Sequence, residues 1–197
     1  MQRQFIGAVS AAIILVLGFT GLAQAQTLLV MNEQRILRES AVGIHIAAEI
    51  GRIGEEIEAE LGPLSAQLAQ ENEALTAETS VLSEDALRQR PDLITRLQAL
   101  QADAQRFELL RRQRAQEIQA TERAAMQPVL QALQAVLQEI VEERQATLLI
   151  DRSQVVFAAD SIDITDAAIA RLNEVIPTTP VNRVRLPDPA QQAAPAE

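Results

Sequence analysis

Few side chains in this sequence have the type and spacing that chemistry requires. The one histidine, His45, stands among Ile44, Ile46 and Ala47, and the chain has no cysteine. A thiol–imidazole dyad is therefore out of reach, and no second ligand lies at metal-binding spacing, so His45 reads as a structural or surface histidine. Asp160, Asp163 and Asp166 form a carboxylate series at steps of three. A calcium loop of the EF-hand kind would add a turn glycine and a late glutamate, and both are missing. Capping of a following helix, and favourable contact of acids with its start, explains these three residues. No glycine-rich phosphate loop or nucleophile motif occurs, so neither an enzyme nor a cofactor is expected. The charged group of most interest is arginine, which supplies every basic residue of the chain. Arg88 and Arg90 flank a break in the apolar pattern, and Arg106, Arg111, Arg112 and Arg114 cluster further on. Arg111 and Arg114 continue the spacing set by Phe107 and so fall where apolar groups are expected. They can pair with acids such as Glu58 and Glu60, their stems covering the seam. Alternatively, they can line a cavity that offers charge and apolar stem together to a bound partner.

The element that positions these residues runs from Ala41 to Gln145. Apolar residues at Ile50, Ile53, Ile57, Leu61, Leu64, Leu68, Leu75 and Leu82 step by three and four, with Glu71 and Glu78 filling the longer gaps, as in a coiled-coil seam. After the break at Arg88–Pro91, the pattern returns at Leu93, Leu97, Leu100, Ala104 and Phe107, then at Met126, Leu130, Leu133, Leu137 and Ile140. Proline suits the first turn of a new helix. The segment predicts an antiparallel helical hairpin, an arm with limbs roughly 65–80 Å long. Gly43, Gly51 and Gly54 weaken the outgoing limb and Pro128 the return limb, at one level near the base. These four are candidates for a pivot; the competing reading is that the glycines let the limbs approach closely.

Flanking segments complete an α+β reading. Residues 1–25, with Arg3, an apolar run from Phe5 to Phe19 and Ala23-Gln24-Ala25, have the pattern of a cleaved secretory signal. Leu28, Leu29 and Val30 lie in a short apolar run read as a strand, and Asn32 can cap a brief helix before Ser40 caps the outgoing limb. Leu148, Leu149 and Ile150, then Val155, Val156 and Phe157, predict a β-hairpin, followed by a helix from Ala167 to Val175 with Thr165 as its cap. Residues 177–197 hold five prolines and no apolar periodicity, and predict a disordered tail. A hairpin returns to its origin, so residues 26–40 and 146–176 must meet in a small β-rich body. With only about 45 residues and no disulfide, such a body lies near the limit of independent stability, and the strands are expected to be shared between subunits.

The net charge of −10 argues against nucleic acid as a partner. Only 2% of residues are aromatic and 22% charged, which suits a long solvated helix better than a large globular core. The order signal, strand, "Leu-Arg-Glu-Ser" at 37–40, helical hairpin, and then the run from Ala146 through Asp151-Arg152-Ser153 to Thr165, resembles the OmpH/Skp family of periplasmic chaperones. That resemblance covers about Thr27 to Ile176. It implies a periplasmic homotrimer whose arms surround a cavity that holds unfolded outer-membrane proteins without ATP. It also implies delivery to the outer-membrane insertion machinery. Family members with basic, Lys-rich arms attract lipopolysaccharide; this acidic, Lys-free chain is not expected to. The alternative function is a structural coiled-coil adaptor of the envelope that shields no client.

Overall fold

The computed structural model describes residues 27–187; the signal-like segment and residues 188–197 lie outside the described residues. In chain order the elements are β1 (Leu28–Met31), α1 (Glu33–Glu39), α2 (Ala41–Thr79), α3 (Glu84–Arg88), α4 (Pro91–Glu143), β2 (Leu148–Asp151) and α5 (Thr165–Val175). Local chemistry sets most boundaries. The Asn32 side chain accepts a hydrogen bond from the Arg35 amide at 2.9 Å, and Ser40 Oγ accepts one from the Gly43 amide at 3.2 Å, each satisfying a donor that a helix start leaves free. Near the end of α2, the hydroxyls of Thr76 and Thr79 donate back to the carbonyls of Asn72 and Leu75, both at 2.7 Å, and such back-bonding competes with the helical ladder. Pro91 opens α4, and Gln145, with φ of 50°, closes it in the left-handed conformation.

α2 and α4 run antiparallel, about 60 and 80 Å long at about 1.5 Å per residue. They pass through Pro63 and Pro128 without a break in assignment. β1 pairs in parallel with β2, Leu28 opposite Leu148 and Met31 opposite Asp151. Parallel strands need a crossover, and here the crossover is the whole hairpin. The Ile164 amide donates to Val30 O at 2.9 Å on the free side of β1. The expected β-hairpin does not form. After β2 the chain turns through a short 3-10 helix at Arg152–Gln154, and Val155, Val156 and Phe157 belong to no strand. Asp151 diverts the chain by accepting the Ser153 amide at 2.8 Å and the Glu33 amide at 3.2 Å. The body is therefore not β-rich; it is mostly helical with two four-residue strands.

Thr165 does not cap α5: the cap position is Ile164, which makes no side-chain bond, and Asp163 just before it braces the helix start. Its Oδ1 accepts the Thr165 amide at 2.9 Å and its Oδ2 accepts Arg152 Nη1 at 2.9 Å. Thr165 lies inside the helix, where its hydroxyl accepts the Asn32 amide. Burial works to raise the Asp163 carboxyl, but the Thr165 hydroxyl and amide, with Arg152, outweigh it and hold the group below the ordinary carboxylate value. Asp166 pairs with Arg35 at 2.7 Å. Two of the three spaced acids thus serve the body's joints.

The main core sits at the base. Leu29 and Ile36 meet Val42 and Ile46 of α2, Ala125, Val129, Leu133, Val136 and Ile140 of α4, and Ala168 and Leu172 of α5. Because the hairpin's own basal turns supply much of this core, the folded end is larger than the flanking segments alone. Size alone therefore does not oblige this end of the molecule to share strands with sister subunits. Gly43 has a packing reason to be glycine: a Cβ there would lie 1.7 Å from the Leu37 carbonyl oxygen, where the α1–α2 corner closes. At Gly51 and Gly54 a Cβ would meet nothing within 4 Å, so close approach does not require glycine there. Gly43→Ala is expected to lower stability by about 1–3 kcal/mol. Gly51→Ala and Gly54→Ala should each be neutral or stabilising by up to about 1 kcal/mol. Urea midpoints of the three variants test this, and a tolerated alanine at 43 would contradict it.

Candidate functional site

The hairpin seam departs from the expected heptads. Ile53, Ile57, Leu75, Leu93, Leu133 and Ile140 are buried, whereas Leu64, Leu97 and Leu130 are exposed. On α4 the buried line is Gln113, Glu117, Thr121, Ala125, Val129 and Leu133 before Val136 and Ile140. Consecutive steps of four advance about 40° around a helix each time. This line therefore turns away from a straight seam, and its outer part is polar.

Residues 177–187 cover that part. They do not form a disordered tail but an extended strap along the hairpin, directed from the base toward the tip. Thr179 O lies 3.0 Å from His45 Nε2, and Val181 packs on the basal core. The Val184 amide donates to Thr121 Oγ1 at 2.9 Å, and the Leu186 amide to Glu117 Oε1 at 3.1 Å. Gln113 Nε2 donates to the carbonyls of Leu186 and Pro187 at 2.8 and 3.1 Å. Arg183, only 11% exposed, bonds Glu60 at 2.6 Å and Glu117 at 2.9 Å. Glu117 is fully buried, at 0%, and also accepts from Arg114 at 2.7 Å. Arg114 Nε lies a further 3.2 Å from Glu60 Oε2. A lone buried carboxylate would be untenable; two guanidiniums and a backbone amide make this one stable. Hydrogen bonds donated by Arg183 hold the Glu60 carboxyl below its ordinary value against a smaller opposing effect of burial, and by the same bonds to Glu60 the Arg183 guanidinium is held above its own.

Beyond this clasp the limbs part around a cleft of about 940 Å³, whose lining includes Leu64, Leu68, Leu100, Phe107 and Leu110. Its outer end is closed by Arg96, which bonds Glu71 at 3.0 Å and Glu78 at 2.9 Å across the hairpin. Leu75 and Leu93 are buried in the outer part of the hairpin. The apolar positions that the heptad reading assigned to the seam here instead line an opening.

The structure does not bring the six sequence-selected arginines together. Arg88 pairs with Asp85 at 3.2 Å, Arg90 with Asp92 at 2.7 Å, Arg106 with Asp103 at 3.0 Å and Arg111 with Glu108 at 2.9 Å. Arg112 is exposed. Arg114 pairs with Glu60 as one reading expected, and only Arg106 lines the cleft. Sequence reasoning missed Gln113, Glu117, Thr121 and Arg183. The available signal was the polar interruption at steps of four between Leu110 and Ala125, but its partner lay in a segment without periodicity.

Likeness to known proteins fixes the family. Residues 27–172 match the model described as Outer membrane protein (OmpH-like). The chain belongs to the OmpH-like family. A solved structure of a candidate OmpH-like outer membrane chaperone from Caulobacter crescentus is 28% identical, with a TM-score of 0.66. The likeness spans 93% of this chain and 98% of that one. No curated protein matches. The matched family span ends before the strap. Among the described residues of this OmpH-like chain, no helix is long and apolar enough to cross a membrane, and no group of three or more acidic or histidine side chains could hold a metal ion.

The clasp carries a pH dependence of known sign. Since the Glu60 carboxyl is lowered in the folded protein, its contribution is complete above the ordinary value of 4.5 and is lost as pH falls below it through the lowered value. Hydrogen-exchange protection at the Val184 and Leu186 amides should hold from neutrality down to about 4.5 and decay as pH falls further. Decay that is complete above 4.5 would assign the clasp to another group.

Proposed function

We propose that this protein is an ATP-independent periplasmic holdase that binds unfolded outer-membrane proteins and keeps them from aggregating. The observation that carries the reading is the cleft: leucines and a phenylalanine line an opening of about 940 Å³ between two solvated helices, bounded by ion-paired clasps. A holding chaperone must accept many sequences and release them. Several weak, non-directional apolar contacts do this, since their sum retains a chain while no single contact fixes its pose. The acidic balance of the chain keeps a loaded complex soluble. It also disfavours lipopolysaccharide and nucleic acid as partners.

The assembly is proposed to be a homotrimer. Val156 and Phe157, at 107% and 83% exposure, follow a two-stranded sheet whose Leu28 and Leu148 are also exposed. Apolar groups concentrated in this way mark an association surface. Three hairpins would then stand around a shared space, from which a client passes to the insertion machinery. Gly51, Gly54 and Pro128 are proposed to let each hairpin flex near the base.

Two measurements test these points. Urea-unfolded outer-membrane β-barrel protein, diluted into buffer with several-fold excess of the chaperone, should show suppressed light scattering. Unaltered aggregation would sink the holdase reading and favour a structural adaptor. Sedimentation should give a trimer that Val156→Asp with Phe157→Asp dissociates; a folded monomer before substitution would refute the assembly.

A further inference from the structure

The strap and the cleft occupy one track. Leu110 lies three residues before Gln113 on α4, and Leu64 lies four residues after Glu60 on α2. On a helix those spacings keep side chains on one face. The cleft is thus the outward continuation of the groove in which residues 177–187 already lie. The manner of strap binding is informative. The side chains of Thr179, Val181 and Arg183 are buried or partly buried, but apart from those of Arg183 the hydrogen bonds from the hairpin to this segment go to its backbone: His45 at the Thr179 carbonyl, Thr121 and Glu117 at the amides of Val184 and Leu186, and Gln113 at two successive carbonyls. Backbone hydrogen bonds to an extended chain give affinity without demanding a sequence. Gln113 stands where strap meets cleft; it is 7% exposed, and among the described residues its Oε1 has no hydrogen-bond partner. A buried amide oxygen left unpaired is unfavourable; it is covered while the strap lies in place, and a chain that takes the strap's place could donate an amide to it.

We infer that the groove between α2 and α4 is a track for extended polypeptide, with the strap as its resident occupant and an unfolded client segment as the visitor. The client places apolar side chains on Leu64, Leu68, Phe107 and Leu110 and its backbone against Gln113. Displacing the strap lengthens the available track toward Ile57 and Ile53. The strap therefore competes with the client from within, setting affinity low enough for release. This inference rests on the holdase reading and adds where on the hairpin the client lies and what limits its binding.

The test uses four forms of the chain: unaltered, Arg183→Glu, Leu68→Asp with Leu110→Asp, and one ending at Pro187. Each is titrated against urea-unfolded, fluorophore-labelled outer-membrane β-barrel protein, read by anisotropy. Arg183→Glu places like charge against Glu60 and Glu117 and should release the strap, raising affinity by several-fold. The doubly substituted cleft should lose tenfold or more, and the chain ending at Pro187 should bind as the unaltered one does. A photo-crosslinker at Leu64 should capture client, while one at Glu55 should not, and this arm does not depend on how the cleft substitutions fold. Normal binding by the cleft variant, or equal capture at 55 and 64, overturns the track while leaving holdase activity standing. A gain in the chain ending at Pro187 would give the cleft to the last ten residues, and so overturn it too. Binding by none of the four removes the holdase reading and the track with it.

Discussion

The parallel pairing of residues 28–31 with residues 148–151 is the constraint from which the rest follows. Two strands so far apart in sequence close a very large loop, and an unstructured loop of that length would carry a substantial closure entropy. The helical hairpin removes this difficulty because it carries the chain out and back, so that β2 arrives beside β1. In return, the strand pair, the Asp163–Thr165–Asn32 joint and the Asn173 side chain at the Ala41 amide fix where both limbs emerge. Limb register at the base then determines which side chains face one another further out.

Moving outward, the interior of the hairpin changes character. At the base it is aliphatic, dense and shared with α5. One level out it is ionic, with Glu117 held by Arg114 and Arg183 and shielded by the strap. Further out lies the open apolar cleft, and then the Arg96 bridges to Glu71 and Glu78. A buried ion pair seldom adds as much stability as the apolar packing that could replace it. Its merit here lies in selecting one position for the strap, since a carboxylate left without its guanidinium partners is strongly disfavoured. The gradient runs from a part built to be permanent to a part with unfilled contacts.

That gradient suits a protein of the OmpH-like family. A cleft between two long helices has low contact density, and elements of low local stability are those that can adapt. Its walls are anchored at both ends by charge pairs rather than continuous apolar packing, so they can yield without unfolding the base. The strap adds a graded element, being a segment of the same chain bound largely through its backbone in the same groove.

Much of the architecture was legible in the sequence because it depends on neighbours along the chain. The caps at Asn32 and Ser40, Pro91 at a helix start, and the outgoing and returning limbs all follow from local hydrogen bonding and helical period. So does the meeting of the two strand segments, which the hairpin forces. The body's β content was overestimated, since the apolar run at Val155–Phe157 looks like a strand but is steered away by Asp151 and the turn after it. Which heptad leucines are buried could not be read, because a leucine lining a cleft and one filling a seam have the same spacing; only the separation of the two helices distinguishes them. The six arginines lack a common site because most find acids three or four residues away on their own helix. The strap escaped notice for a related reason. An extended segment bound by its backbone needs no periodicity of its own, and its partners, Glu117 and Gln113, acquire meaning only when the folded hairpin sets them opposite residues 183–187. Sequence alone determined most of the elements and their order, the run at Val155–Phe157 and the strap excepted, through interactions of short range; the three-dimensional structure decided what the hairpin encloses, because burial there depends on groups the fold brings together from distant parts of the chain.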